Sequence, residues 1–317
     1  MSLSSMTPLP PDHRRCIGKT DPSEVLVDAV AAKTDDTHVV AVRWPRTHRH
    51  YTSDSGSYAP HILTESIRQA LALISRTAFE VPLSSRMGWQ AYNLSATADQ
   101  LYTEAQDAEV LLTVTHTRVT GRKRGSVRLT AAVEATRDGR HLGSAQITYS
   151  AHAPAIYERL RGPYADPLAA TARALPASAP VACVLTGTRR AHDVVLTASS
   201  TPRTWTLRVD PDHPVLFDHP HDHVPGMVLL EACGQAATAT VHPLRALPTG
   251  FDTTFLRYVE LDQPCRITTT YLTCAPGGPR TIGVRGTQNG QTAFTSRVTV
   301  HPLPAGCRRT DGAQRRP

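Results

Sequence analysis

Two apolar segments of this chain each carry a glutamate with a glutamine four residues further on: Glu65-x-x-x-Gln69-Ala70 and Glu231-x-x-x-Gln235-Ala236. The offset is the same for both residues, since 231 − 65 = 166 and 235 − 69 = 166. Four residues make about one helical turn, so each Glu and Gln share a helix face. A carboxylate among residues that should be buried is costly unless it is paired, shifted in pKa or used. One such pair carries little weight. Two in register, each inside the order strand, helix, strands, read as an internal duplication. The chain is therefore expected to fold as two copies of one α+β unit.

The flanking patterns agree. Strand-like runs at 24–27 and 38–44 precede a helix predicted over 62–77, where Leu63, Ile67, Ala70, Leu71 and Ile74 recur at helical spacing. Strand-like runs follow at 109–114, 126–133 and 143–149, with Asp138-Gly139 marking a hairpin. A strand-like run at 205–209 precedes the Glu231 helix, and 255–259, 266–271, 281–285 and 292–300 follow it. Asn289-Gly290 marks the last hairpin, where Asp138-Gly139 stood in the first copy. An Ala- and Pro-rich stretch at 161–180 separates the copies, giving an expected division into a loose arm 1–15, an N-terminal domain 16–160, a linker 161–180, a C-terminal domain 181–302 and a loose tail 303–317.

A length of 317 residues suits two domains. No apolar run approaches the roughly 20 residues that span a membrane, and the first residues lack a secretory signal, so a cytoplasmic protein is expected. The six cysteines contain no C-x-x-C pair and read as free thiols. Cys233 follows Glu231 too closely to share its helix face, which weakens it as a nucleophile. The net charge of +7 comes mostly from arginine and suits an acidic partner, with part of it in the tail at Arg308, Arg309, Arg315 and Arg316. No basic helix or aromatic RNA-binding signature accompanies it, so no nucleic-acid partner is expected. His213, His219, His221 and His223 crowd one stretch, but no cysteine or acidic ligand set closes a tetrahedral site at recognised spacing, and no metal is expected.

The chemistry centres on the run from Phe217 to Ala236, where a histidine-rich loop passes through Pro225-Gly226 into the Glu231 helix. A carboxylate on an apolar helix beside such a loop can act as a general base. Glu231 or Glu65, with a pKa raised by its apolar helix, is the candidate base. The structural alternative is a buried glutamate bonded to a facing strand. Gly226 would let a substrate carbonyl approach the backbone, where the first helical N–H groups serve as oxyanion donors. His219 would orient the carboxylate or shuttle a proton, His223 would line the site, and Asp222 would cap the loop.

The segment Val224-Pro225-Gly226-Met227-Val228-Leu229-Leu230-Glu231-Ala232-Cys233-Gly234-Gln235 resembles the M-P-G-V-L-x-x-E-A-x-A-Q motif of β-hydroxyacyl-carrier-protein dehydratases. That family has the hotdog fold, a long helix wrapped by a curved antiparallel sheet, with a loop His and the helix Glu as the catalytic pair. His219-Pro220 matches the family's H-F-P only across a gap. A wider resemblance is to the A-factor synthase (AfsA-like) family. It rests on Trp44-Pro45-Arg46-Thr47-His48, on Glu65-Ser66-Ile67-Arg68-Gln69-Ala70 and on Ile156-Tyr157-Glu158-Arg159-Leu160-Arg161-Gly162. It continues through His213-Pro214-Val215-Leu216-Phe217-Asp218-His219-Pro220 and Phe255-Leu256-Arg257-Tyr258-Val259-Glu260-Leu261-Asp262.

This resemblance implies a double hotdog fold, two fused domains with their helices side by side. It implies transfer of a β-ketoacyl chain from an acyl-carrier-protein thioester, or an acyl-CoA, to dihydroxyacetone phosphate in γ-butyrolactone synthesis. No cofactor is implied beyond the pantetheine arm of the carrier. Arg68 and Arg257 are the arginines expected to meet phosphate. The sequence departs from the family at Gly234, where L-E-A-x-R-Q-A would place an arginine, and at Gly18, where relatives tend to carry histidine. Two alternatives stay open: a hotdog dehydratase or thioesterase, and an acyl-binding relative without catalysis.

Overall fold

The computed structural model describes residues 6–9, 13–53, 56–121, 125–274 and 278–303. The first half contains β1 (Thr7–Pro8), α1 (His13–Ile17), β2 (Val27–Ala32), β3 (Thr37–Trp44), α2 (His61–Thr77), β4 (Arg86–Ala96), β5 (Ala108–Thr120), β6 (Ser126–Arg137) and β7 (Arg140–His152). Two short helices, α3 (Pro154–Arg161) and α4 (Pro167–Ala172), lead across. The second half has α5 (Cys183–Thr186), β8 (Leu196–Ala198), β9 (Thr204–Leu207), α6 (Gly226–Val241), β10 (Ala246–Phe255), β11 (Cys265–Cys274), β12 (Arg280–Gln288) and β13 (Gln291–Pro302).

All thirteen strands join one antiparallel sheet in the order β1-β2-β3-β5-β6-β7-β4-β10-β13-β12-β11-β9-β8. The order is palindromic about the seam between β4 and β10, where Phe251 lies opposite Leu94 and Thr253 opposite Tyr92. Apart from the two-residue β1 at the outer edge of the first half, each half is a helix against a six-strand sheet, and the halves meet edge to edge, which removes two exposed strand edges. This is the double hotdog, with α2 and α6 in contact across the centre.

Alternation makes the sheet one-sided. Along β6, Leu129, Ala131, Val133 and Ala135 are buried while their neighbours are not. The helices supply the other wall, α2 with Ile62, Leu63, Ile67, Ala70, Leu71 and Ile74, and α6 with Val228, Leu230, Ala232, Ala236 and Val241. These form one continuous core through both halves. Both hairpin signals hold: Asp138-Gly139 (φ 51° and 72°) and Asn289-Gly290 (φ 52° and 73°) turn with paired positive φ values.

Two sequence expectations are corrected. The strand expected from residue 24 is β2, which begins at Val27, because Pro22–Glu24 form a short 3-10 turn capped by Asp21. The strand expected at 255–259 is instead β10, which ends at Phe255. No strand was expected at 86–96, where β4 stands: 87–91 are half-buried, and Tyr92, Leu94 and Ala96 are buried in alternation with exposed Asn93 and Ser95. The stretch 161–180 contains α4, and Arg161 before it is buried. The arginines expected in the tail lie outside the described residues.

Candidate active site

The duplication extends beyond the helices into a shared frame. In the first half the Gln69 amide donates to the Glu24 carbonyl (2.7 Å) and to Glu65 Oε1 (2.8 Å), and its Oε1 accepts from Leu26 N–H. In the second half Gln235 donates to the Asp193 carbonyl (2.8 Å) and to Glu231 Oε1 (2.8 Å), and accepts from Val195 N–H (2.9 Å). Each frame also holds a histidine. His48 Nδ1 accepts from the N–H groups of His50 and Tyr51, and His213 Nδ1 accepts from those of Val215 and Leu216. Accepting at Nδ1 places the proton of each neutral ring on Nε2, which faces Glu24 Oε2 (3.4 Å) in one half and Asp193 Oδ1 (3.1 Å) in the other.

The two helix carboxylates sit in the same frame but meet different neighbours. Glu65 is fully engaged: Arg68 donates to both oxygens (2.8 and 2.7 Å), and Lys19 Nζ lies 3.3 Å from Oε1. Burial alone would favour the neutral acid, but Arg68 and Lys19 outweigh it and hold the carboxyl down at about 2. Glu65 is an anion with two permanent counter-ions.

At Glu231 both cations are missing. Gly234 stands in the place of Arg68 (68 + 166 = 234), and Thr188 follows Gly187 as Lys19 follows Gly18. Gly18 and Gly187 match in conformation, with φ 68° and 72° after α1 and α5. The neighbours of Glu231 Oε2 come instead from the other half of the molecule: His61 Nε2 at 3.6 Å and His50 Nε2 at 3.9 Å. His50 Nδ1 is bonded to Asp193 Oδ1 (2.9 Å). Burial disfavours the His50 imidazolium, but the bond to Asp193 and the charges of Glu231, Asp193 and Glu24 prevail, so its pKa lies above the ordinary histidine value. Asp193, despite burial, is held below the ordinary carboxylate range by hydrogen bonds from His213 and His50. The result is a carboxylate, a histidine and an orienting carboxylate in succession, a constellation suited to moving protons.

His50, Asp193 and His213 also place donor atoms within 4.8 Å of one another, the layout of a small metal site. The hydrogen bonding argues otherwise. A metal-bound imidazole usually donates its remaining N–H outward. The remaining nitrogen of His213 accepts two backbone N–H groups, so its proton points at Asp193. The donor chemistry is that of a hydrogen-bonded relay.

The residues singled out from sequence are scattered over three places. Glu231 lies in the relay and Glu65 in the ion cluster. Arg68 is occupied by Glu65 and by the Ile17 carbonyl (3.0 Å), so its fork does not face outward as a phosphate ligand. His219 packs on His221 (ring centroids 4.3 Å) with Nδ1 3.6 Å from Asp218 Oδ2. Burial pushes its pKa down, and Arg68 and Lys19 add to that, which places it beside the Glu65 cluster. His221 is pushed down to about 3, mainly by burial. His223 bonds Asp222 (3.0 Å) and packs on Tyr258 (4.6 Å). Asp222 is in turn gripped by Arg161 (2.8 Å), which also holds Glu260 (2.6 Å), so His223 belongs to the anchor of the connecting segment. Gly226 opens α6 with no protein atom within 4 Å of where a Cβ would stand. Arg257 is exposed beyond the end of β10. Burial raises the Cys233 thiol to about 12, which disfavours the nucleophilic thiolate.

His50, His61 and Asp193 did not emerge from the sequence. One signal was present: Glu24 and Asp193, like His48 and His213, are a duplicated pair, but at offsets of 169 (193 − 24) and 165 (213 − 48). Loop-length differences hide them from a search at 166.

Comparison with known proteins agrees with this architecture. The family model described as AfsA, the A-factor biosynthesis hotdog domain, matches residues 7–153 and 169–304. A protein of Streptomyces virginiae named 2-oxo-3-(phosphooxy)propyl 3-oxoalkanoate synthase is 35% identical over 296 residues, covering 92% of this chain and 97% of its own. One of the same name from Streptomyces coelicolor is 33% identical over 268 residues, covering 84% of each. Among solved structures, a protein described as an oleoyl thioesterase of Lactobacillus plantarum superposes with a TM-score of 0.52 at 13% identity, covering 85% of this chain and 97% of that one, a likeness of fold.

Proposed function

Since this chain belongs to the A-factor biosynthesis hotdog family, we propose that it is an acyltransferase moving a β-ketoacyl chain from a carrier-protein or coenzyme A thioester to the hydroxyl of dihydroxyacetone phosphate. The observation that carries this reading is the contrast at the helix carboxylates. Glu65 is locked by two cations, whereas Glu231 Oε2 faces His50 and His61 with no permanent counter-ion in the place of Arg68. The names of the Streptomyces relatives supply the product class, a phosphooxypropyl ester of a 3-oxoalkanoate.

In the proposed step Glu231 takes the proton of the acceptor hydroxyl as its oxygen attacks the thioester carbonyl. The C–O bond forms, the C–S bond breaks, and the His50 imidazolium, held by Asp193, gives its proton to the departing sulfur. Proton return from Glu231 to His50 restores the starting state. Backbone N–H groups at the start of α6, beside Gly226, are assigned to the thioester oxyanion. Of the two expected arginines, the exposed Arg257 is the one open to phosphate. The net charge of +7 favours an acidic carrier protein, and the scheme needs no metal or redox cofactor.

The test is to mix the purified protein with a β-ketoacyl thioester, with and without dihydroxyacetone phosphate. A phosphorylated ester formed only with the acceptor, and lost in Glu231→Gln, is the expected result. Free acid or an enoyl product regardless of acceptor would overturn it in favour of a thioesterase or dehydratase. No turnover at all would favour an acyl-binding protein.

A further inference from the structure

His61 opens α2, and its ring is packed against Phe251 (centroids 4.8 Å) with Nε2 3.6 Å from Glu231 Oε2. The side chain is 6% exposed, yet neither ring nitrogen has a hydrogen-bond partner among the described residues. The Leu230 backbone approaches the ring without meeting hydrogen-bond geometry. Buried polar groups are nearly always matched, so a ring unmatched at both nitrogens and turned toward a carboxylate marks a place where a ligand atom completes the set. Burial, opposed by the Glu231 charge, keeps the His61 pKa below the ordinary histidine value. The ring is neutral at neutral pH, so one nitrogen donates and the other accepts.

Gly234 lies beside this ring. A Cβ at residue 234 would stand 3.4 Å from His61 Nε2, 3.4 Å from Pro248 Cγ and 3.5 Å from Phe251 Cζ, ordinary contact distances, so a methyl group fits but a long side chain pointing this way would enter space that His61, Pro248 and Phe251 fill. On α2 the matching position holds Arg68, which closes off Glu65. On α6 glycine stands at that position and His61 is seated beside it. A permanent charge is replaced by a neutral ring with hydrogen-bonding capacity to spare.

We propose that His61 is a binding residue for the acceptor alcohol, its Nε2 and Glu231 Oε2 forming a two-point seat for one hydroxyl. A hydroxyl donating to Oε2 at about 2.7 Å and accepting from an imidazole N–H at about 2.9 Å fits over atoms 3.6 Å apart. The assignment rests on the acyl-transfer reading for the identity of the alcohol, dihydroxyacetone phosphate, but its geometry stands on binding alone.

The experiment is calorimetric binding of dihydroxyacetone phosphate to the full-length protein, beside the acceptor and thioester KM values. His61→Phe keeps the packing on Phe251 and should weaken acceptor binding roughly tenfold, the worth of one hydrogen bond, and raise the ratio of acceptor KM to thioester KM to match. His61→Gln, which keeps a donor and an acceptor, should restore part of that loss. Should His61→Phe fail to fold, His61→Leu carries the test, since it is smaller than the ring it replaces and equally without a hydrogen-bonding nitrogen. Acceptor affinity equal to the unsubstituted protein in whichever of His61→Phe and His61→Leu folds overturns the inference, as does absence of acceptor binding to the unsubstituted protein. Acceptor binding that depends on His61 without ester formation would sink the transfer reading and leave the seat intact. Ester formation with affinity indifferent to His61 would do the reverse.

Discussion

Glu65 and Glu231 occupy the same place on two copies of one helix, each bonded to a glutamine one turn on, each glutamine bonded to the same backbone pair. What differs is the source of the compensating charge. Glu65 is matched by Lys19 and Arg68 from its own half. Glu231 instead faces His50 and His61 from the other half, neither of them a permanent cation. Compensation by permanent cations makes a carboxylate part of the scaffold. Compensation by histidines leaves it open to chemistry. The histidines common to both frames, His48 and His213, mark what the fold needs. His50, whose counterpart in the second frame is Val215, marks what only one cleft has.

The comparison breaks most sharply under carboxylate substitution. Glu231→Gln should lower ester formation by about 10²- to 10⁴-fold, the range for loss of a general base, with unchanged circular dichroism; transfer at the original rate would remove Glu231 from the mechanism. Glu65→Ala should act on stability instead. It strands two buried cations, a loss of about 3–5 kcal/mol, seen as a lower denaturant midpoint, and a variant as stable as the original would refute the ion cluster. Adding Lys19→Met and Arg68→Met to it should recover much of the loss.

Smaller effects sharpen the contrast. His50→Gln should reduce transfer by at least about tenfold through loss of the acid for the leaving thiolate. Asp193→Asn removes the anion that steadies the imidazolium. The pKa of His50, raised in the folded protein, should fall, and the alkaline limb of the pH–rate profile should move to lower pH. A limb that stays in place would detach His50 from Asp193. The last expectation concerns acid stability. Glu65 is held at about 2 against an ordinary 4.5, so its contribution is whole above about pH 4.5 and is lost as pH falls toward 2. Glu65→Gln should flatten that part of the acid-unfolding curve.

Much of this was legible in the chain. The repeated Glu and Gln, both Asp/Asn-Gly hairpins and the apolar helix faces are local signals, set by periodicity and turn chemistry. β4 escaped although Tyr92, Leu94 and Ala96 alternate with exposed Asn93 and Ser95, because the half-buried stretch before them, 87–91, shows no alternation. His50 escaped because its partners, Asp193 and Glu231, lie 143 and 181 residues away (193 − 50 and 231 − 50). Arg68 was visible as a cation on the helix, but its engagement by Glu65 and Ile17 is a matter of side-chain direction.

The sequence by itself determined the duplicated α+β architecture, the family and the two helix carboxylates, because these rest on spacing along one chain segment. Only the tertiary structure decided which carboxylate is bound in place and which is open. That depends on groups brought together by the palindromic sheet: the first half lends His50 and His61 to the helix of the second, where no arginine side chain stands at 234 to pair with Glu231. Proximity across a folded interface has no period in the sequence.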